Sequence, residues 1–332
     1  MAEPVEKTGS TRSSSYSTPQ TGIFAIIPAS AVPESWIPYA ELMRLDRPAG
    51  FYAIYFSYLI GLGYAANISN TTVSARTICE QAVLMFFGCI FLRGVSCTWN
   101  DNIDQDFDRA VARCQNRPIA RGAVTTAQGH LFTIFQLVVG MVFLRLWPVE
   151  CAVYQLITII LAAIYPFGKR FTHFAQLILG FPIACAFPFT CHALGVDPWS
   201  EKHFRSTVSL IIANVLWTMI YDTVYAHQDL KDDLKAGVKS MAVLFRNNTK
   251  VLSTVLGIVQ IILLMHIGVH LELSSLYFVV GCGGVSVSLL AMIILVNLKD
   301  PSSCAWWFRT DFWLVGGSLT AGFFAEWAYN RQ

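Results

Sequence analysis

Residues 77–108 read TICEQAVLMFFGCIFLRGVSCTWNDNIDQDFD. From Thr77 to Thr98 the run is apolar apart from a few polar side chains, chiefly Glu80, Gln81 and Arg93. At about 1.5 Å per residue a helix of that length crosses the hydrocarbon core of a bilayer, about 30 Å thick. No glycine or proline separates it from the acidic stretch Asn100-Asp101-Asn102-Ile103-Asp104-Gln105-Asp106-Phe107-Asp108. If the membrane helix continues past Thr98, it carries carboxylates at its end. Comparable apolar stretches lie on either side, at 48–66, 127–147, 149–167, 175–195, 207–227, 250–269, 273–296 and 311–329. The glycines and prolines inside them are tolerated in membrane helices. The fold class that follows is all-α, an integral membrane bundle of about nine transmembrane helices.

Composition agrees. Hydrophobic residues are 55% and charged residues 13%, against about 25% charged in a soluble domain, and mean hydropathy is +0.51. A soluble globule, a disordered chain and a coiled coil are excluded. The net charge of +2 gives no bulk basic character for nucleic acid. The nine cysteines lie mostly in apolar stretches without a C-x-x-C pair and read as small buried hydrophobes. Residues 1–35 are expected to be a flexible polar segment and 36–332 the transmembrane domain. Near the start, Glu3 and Glu6 accompany Lys7 and Arg12, unlike an acid-poor transit peptide. An endoplasmic-reticulum-type membrane is favoured, the mitochondrial inner membrane being the alternative. With nine spans, 17 of the 23 Lys and Arg fall on the side of the N-terminus and five on the other. The positive-inside rule then places loops 99–126 and 228–249 together, facing the cytoplasm or matrix.

If the helix continues, Asn100, Asp104 and Asp108 repeat at i, i+4 and i+8, with Asp101 beside them. In the second loop Asp222, Asp229 and Asp233 repeat at i, i+7 and i+11. Two carboxylate faces on one side of a bundle can hold hard cations between them. Mg²⁺ suits this, because it takes one or two carboxylates and completes its shell with water and phosphate oxygens. The bland alternative is a solvated acidic loop. Arg113, Arg117, Arg121, Lys169, Arg170, Lys235 and Lys239 surround the acids. They are either ordinary positive-inside excess or the cations that a diphosphate site needs.

Asn100–Asp108, continuing through Asn116-Arg117-Pro118-Ile119, resembles the N-D-x-x-D-x-x-x-D signature of the UbiA-type intramembrane aromatic prenyltransferases. Tyr221 to Ser240, including Gly237 and Lys239, is similar to the second Asp-rich motif of that family. Tyr165-Pro166-Phe167-Gly168-Lys169-Arg170 resembles its Y-P-x-x-K-R, and Asp46-Arg47-Pro48-Ala49-Gly50 its D-[KR]-P-x-G. The chain looks closest to 4-hydroxybenzoate polyprenyltransferases and their fungal meroterpenoid-pathway relatives. The resemblance implies that Asn100, Asp104, Asp108, Asp229 and Asp233 hold Mg²⁺ and diphosphate, with Asp101 and Asp222 supporting. It also implies that Arg117, Lys169, Arg170 and Lys239 contact diphosphate. The implied partners are a prenyl diphosphate, farnesyl or longer, an aromatic acceptor and the lipid bilayer, with no obligate protein partner. The implied reaction is ionisation of the allylic C–O bond and attack by a phenol ring.

Arg93 lies within a span, where a charge is costly unless paired. It is either the carboxylate partner of an aromatic acid or a structural partner of the Asp cluster. Arg47, at the start of the first span, is a second candidate for the acceptor pocket. A cation or proton transporter is the rival from another class, but its acids would lie at mid-membrane depth rather than at the ends of spans beside Arg and Lys.

Overall fold

The computed structural model describes residues 33–330; residues 1–32 of the polar segment read over 1–35, and residues 331–332, lie outside it. Every regular element among the described residues is helical. Eight helices are long and apolar enough to cross a membrane: α1 Ala49–Ile68, α2 Ala75–Ile103, α3 Thr126–Leu146, α4 Val149–Phe171, α5 Ala175–Ala193, α6 Phe204–Ala236, α7 Thr249–His270 and α8 Tyr277–Leu295. The ninth stretch, α9, comprises Pro301–Asp311, a π-helical turn Phe312–Gly316 and Gly317–Tyr329. Polar residues along both halves, among them Arg309, Asp311 and Glu326, keep it from counting with the other eight.

Local chemistry sets the ends. Ser74 caps α2 by accepting a hydrogen bond from the Thr77 amide at 3.0 Å. Thr125 and Gln128 close a capping box at the start of α3. Pro301 takes the first position of α9 behind the Asp300 cap. α5 breaks at Cys185, between Pro182 and Pro188.

Burial sorts the helices into layers. In their most apolar windows α1, α5 and α6 are 61–72% buried, whereas α2, α3 and α4 are 22% buried and α7 and α8 33%. The first three are the centre and the others the lipid-facing ring. α6 packs on α5 and α7, α1 on α2, α5 and α9, and α4 on α5. On α3 the exposed Leu131, Phe135, Val138 and Val142 fall at i, i+4, i+7 and i+11, a single apolar stripe turned outward. The core holds Tyr64, Trp217, Tyr277, Phe312 and Phe323. All nine cysteines are free.

The two acidic loops meet. The Ala112 amide donates to Asp232 Oδ2 at 3.2 Å, and Arg113 pairs with Asp229. The Lys239 amide donates to the Lys169 carbonyl at 2.9 Å, which brings the end of α4 to the same place. Cysteines introduced at Gln105 and Lys231 are therefore expected to react with a membrane-impermeant thiol reagent from the same face. Labelling from opposite faces would contradict this topology.

Candidate active site

α2 does not stop at the membrane boundary. The Asp104 amide bonds to the Asn100 carbonyl and the Asp108 amide to the Asp104 carbonyl, each at 2.8 Å. Asp104 is the hinge between α2 and the short helix Gln105–Ala110. The helical register is kept across it, so Asn100, Asp104 and Asp108 stay on one side. The second motif is built alike. The chain runs from Phe204–Ala226 through the turn His227–Asp229 into Leu230–Ala236. Gly237 ends that helix with φ 72° and ψ 19°, a left-handed cap that glycine adopts without strain.

Both motifs line one cavity of about 830 Å³. Asn100, Asp104 and Asp108 form one wall; Asp222, Asp229 and Asp233 form the other. Lys169 Nζ lies 2.6 Å from Asp104 Oδ2. Arg117 Nη1 contacts both oxygens of Asp108 at 2.9 Å. Arg113 forks onto Asp229, Nε to Oδ1 at 2.9 Å and Nη2 to Oδ2 at 2.5 Å. Burial raises the Asp108 carboxyl to about 6, against the pull of Arg117. Burial would lower the Arg117 guanidinium, but Asp101 and Asp108 outweigh it and hold it well above its ordinary value.

Of the other expected site residues, Asp101 is not on the cavity wall. It is fully buried behind it, 2.6 Å from Arg44 and 3.2 Å from Arg117. Asp101→Ala is expected to destabilise the protein by roughly 3–5 kcal/mol, since removing one partner strands buried charge. Thermal unfolding of the variant in detergent measures this; an unchanged midpoint would contradict it. Arg170 also points elsewhere: it is exposed, donates to the Ile103 carbonyl at 2.9 Å and lies 4.8 Å from the Phe107 ring. Lys239 is off the wall too, and only its amide is tied to the site. Conversely, Arg44 and Arg113 stand on the wall. In the sequence Arg113 stands only as one cation among several around the acids and Arg44 is not singled out, because their partners Asp229 and Asp101 are 116 and 57 residues away.

Arg93 lines the same cavity deeper in the bundle, seven residues below Asn100 or about 10 Å along the helix. Among the described residues it forms no ion pair. Its Nη2 donates to the Arg47 carbonyl at 2.9 Å, and its buried Nε has no protein partner. The structural pairing with the Asp cluster is thus not formed. Gly50 makes room for the guanidinium: a Cβ there would overlap Arg93 Nη1. Arg47 also lines the cavity; its side chain pairs with Asp46 at 2.8 Å and is half exposed. Tyr52, Leu92, Ile183, Leu179 and Trp313 add apolar wall.

No three His, Cys, Asp or Glu side chains among the described residues converge closely enough to form a metal cage by themselves. The donors nevertheless fit a cation that keeps water and phosphate oxygens in its shell. Buried Asn100 Oδ1 and Asp104 Oδ1 have no hydrogen-bond partner among the described residues. Asp222 and Asp233, on the facing wall, make no ion pair among the described residues. Unpartnered oxygens on one wall and carboxylates without an ion pair on the other, beside lysine and arginine, suit hard cations bridged to an anionic ligand.

The chain is also similar to known proteins. The chain is 40% identical over 282 residues to prenyltransferase ascA of Acremonium egyptiacum, covering 85% of this chain and 82% of that protein. It is 39% identical over 255 residues to DMOA farnesyltransferase nvfB of Aspergillus novofumigatus, covering 77% and 80% respectively. A solved UbiA homologue from Archaeoglobus fulgidus, bound to GPP and Mg²⁺, superposes with a TM-score of 0.64 at 18% identity, over 88% of this chain and 99% of that one. With residues 54–316 matching the model of the UbiA prenyltransferase family, this multi-pass membrane protein belongs to that family and is a prenyltransferase.

Proposed function

We propose that the enzyme transfers a prenyl group, of farnesyl length or longer, from an allylic diphosphate to a ring carbon of a phenolic acid, in a meroterpenoid-type pathway. The observation that carries this reading is one cavity with two acidic walls at one end and, at depth, the half-buried guanidinium of Arg93, which has no ion-pair partner among the described residues. The former suits a diphosphate and its cations. The latter suits the carboxylate of a 4-hydroxybenzoate- or orsellinic-type acid, to which a guanidinium can fork. The farnesyltransferase relative supports a donor of that length. An endoplasmic-reticulum-type membrane is proposed with the pathway.

Asn100, Asp104, Asp108, Asp222, Asp229 and Asp233 would hold Mg²⁺, which when bound supplies Lewis-acid stabilisation of the leaving diphosphate. Arg113, Arg117 and Lys169 bind the diphosphate oxygens and take up the charge that develops as the allylic C–O bond breaks. The bond's electron pair leaves with the diphosphate. Arg93 orients the acceptor so that its ring carbon ortho to the hydroxyl faces the cation. The ring's π electrons form the new C–C bond, and the ring proton is then lost to solvent. Apolar walls keep water from the cation, and the chain of the donor lies in the bundle or toward lipid.

The test is incubation of membranes holding the protein with 4-hydroxybenzoate or orsellinic-type acids, each with C10, C15 and longer diphosphates, and product masses. A C15 adduct of an orsellinic-type acid is expected. Product only from 4-hydroxybenzoate and longer donors would instead support a quinone-pathway polyprenyltransferase.

A further inference from the structure

The cations of the cavity cover the carboxylates that the proposed reaction needs. Arg113 closes both oxygens of Asp229, and Lys169 sits on Asp104. A divalent cation arriving alone at Asp229 must displace a guanidinium and leave it beside a +2 charge. A diphosphate arriving alone meets cations already neutralised, and presents its charge to the carboxylates of both walls. Arriving together, the two satisfy both sets: the metal takes the carboxylate and the diphosphate takes the guanidinium.

We propose that the Arg113–Asp229 pair is a latch that makes metal and diphosphate binding mutually dependent, with Arg113 passing from Asp229 to a diphosphate oxygen when the metal takes Asp229. Tyr225 makes the exchange local. Its hydroxyl accepts from Arg113 Nη1 at 2.9 Å, and its ring lies 5.0 Å from the guanidinium carbon. These contacts do not involve Asp229, so they hold Arg113 at the wall when the carboxylate turns away. The latch bars either ligand alone from half-filling the site. By linkage, whatever factor diphosphate adds to metal affinity, the metal adds to diphosphate affinity. The inference rests on reading the cavity as a metal–diphosphate site.

The test uses Mn²⁺ as the metal probe, followed by electron paramagnetic resonance on the full chain in nanodiscs, with methylenediphosphonate as the diphosphate probe. In the native protein the diphosphonate is expected to tighten Mn²⁺ binding by about tenfold or more, within the usual range of coupled sites. Arg113→Gln uncovers Asp229. It is expected to bind Mn²⁺ alone about tenfold more tightly than the native protein while losing most of the diphosphonate effect. A merely structural arginine would not strengthen metal binding on removal. Lys169→Met, which uncovers Asp104, should shift Mn²⁺ affinity in the same direction and guards against failure of the first variant to fold. If both variants bind Mn²⁺ no better than the native protein while the native coupling is intact, the latch is refuted and the site reading stands. If the native protein binds no Mn²⁺ even with diphosphonate, the site reading itself falls.

Discussion

Asp104→Asn and Asp229→Asn are each expected to lower turnover by about a thousandfold or more while the protein stays folded in the membrane. Each aspartate stands on one wall of the cavity, at the hinge where its motif leaves the long helix. Asparagine keeps the size and loses the charge that a cation needs. A loss of about 4 kcal/mol of transition-state stabilisation, typical of removing one preorganised electrostatic partner, is about a thousandfold in rate. Steady-state turnover at saturating Mg²⁺, with circular dichroism as the folding control, measures this. Near-native turnover in either variant would remove that residue from the metal–diphosphate site.

Arg93→Ala should act on the other substrate. Losing a charge-assisted hydrogen bond costs roughly 1.5–3 kcal/mol, about tenfold to a hundredfold in affinity. The KM for the aromatic acid is expected to rise by that factor, and the KM for the prenyl diphosphate to stay within about threefold, because Arg93 lies about 10 Å below the acidic walls. Gly50→Ala should give a weaker version of the same pattern by crowding the guanidinium. If diphosphate affinity falls in Arg93→Ala and acid affinity does not, Arg93 serves the donor end instead.

Much of this was legible in the residues. The apolar run 77–98 became a helix from Ala75 to Ile103, longer because Ser74 caps its start and the acidic motif keeps the helical register at its end. The spacing of Asn100, Asp104 and Asp108 was enough to put them on one side, as was that of Asp222, Asp229 and Asp233. What local spacing could not show is direction relative to the bundle. Asp101 differs from its neighbour Asn100 by one position, or about 100° around the helix, and that turns it behind the wall toward Arg44. Lys239 follows the left-handed turn at Gly237, and its amide rather than its ammonium meets the site. Arg113 reads as one cation among several until the fold brings it to Asp229. The ninth stretch was placed by hydrophobicity alone. The helix begins ten residues earlier, at Pro301, and carries a buried Asp311 whose carboxylate accepts from Trp217 Nε1 at 2.6 Å.

Diphosphate release and prenylated product can be followed together, in nanodiscs, with the C15 diphosphate and an orsellinic-type acid, with and without a Mg²⁺ chelator. Both are expected to appear in equal amounts and to stop when Mg²⁺ is removed, because the proposed reaction ionises the allylic diphosphate and prenylates the aromatic ring in one cavity. Diphosphate and product formation that persist undiminished under chelation, or Mg²⁺-dependent diphosphate release with no ring-prenylated product from any acid and donor tried, would contradict it.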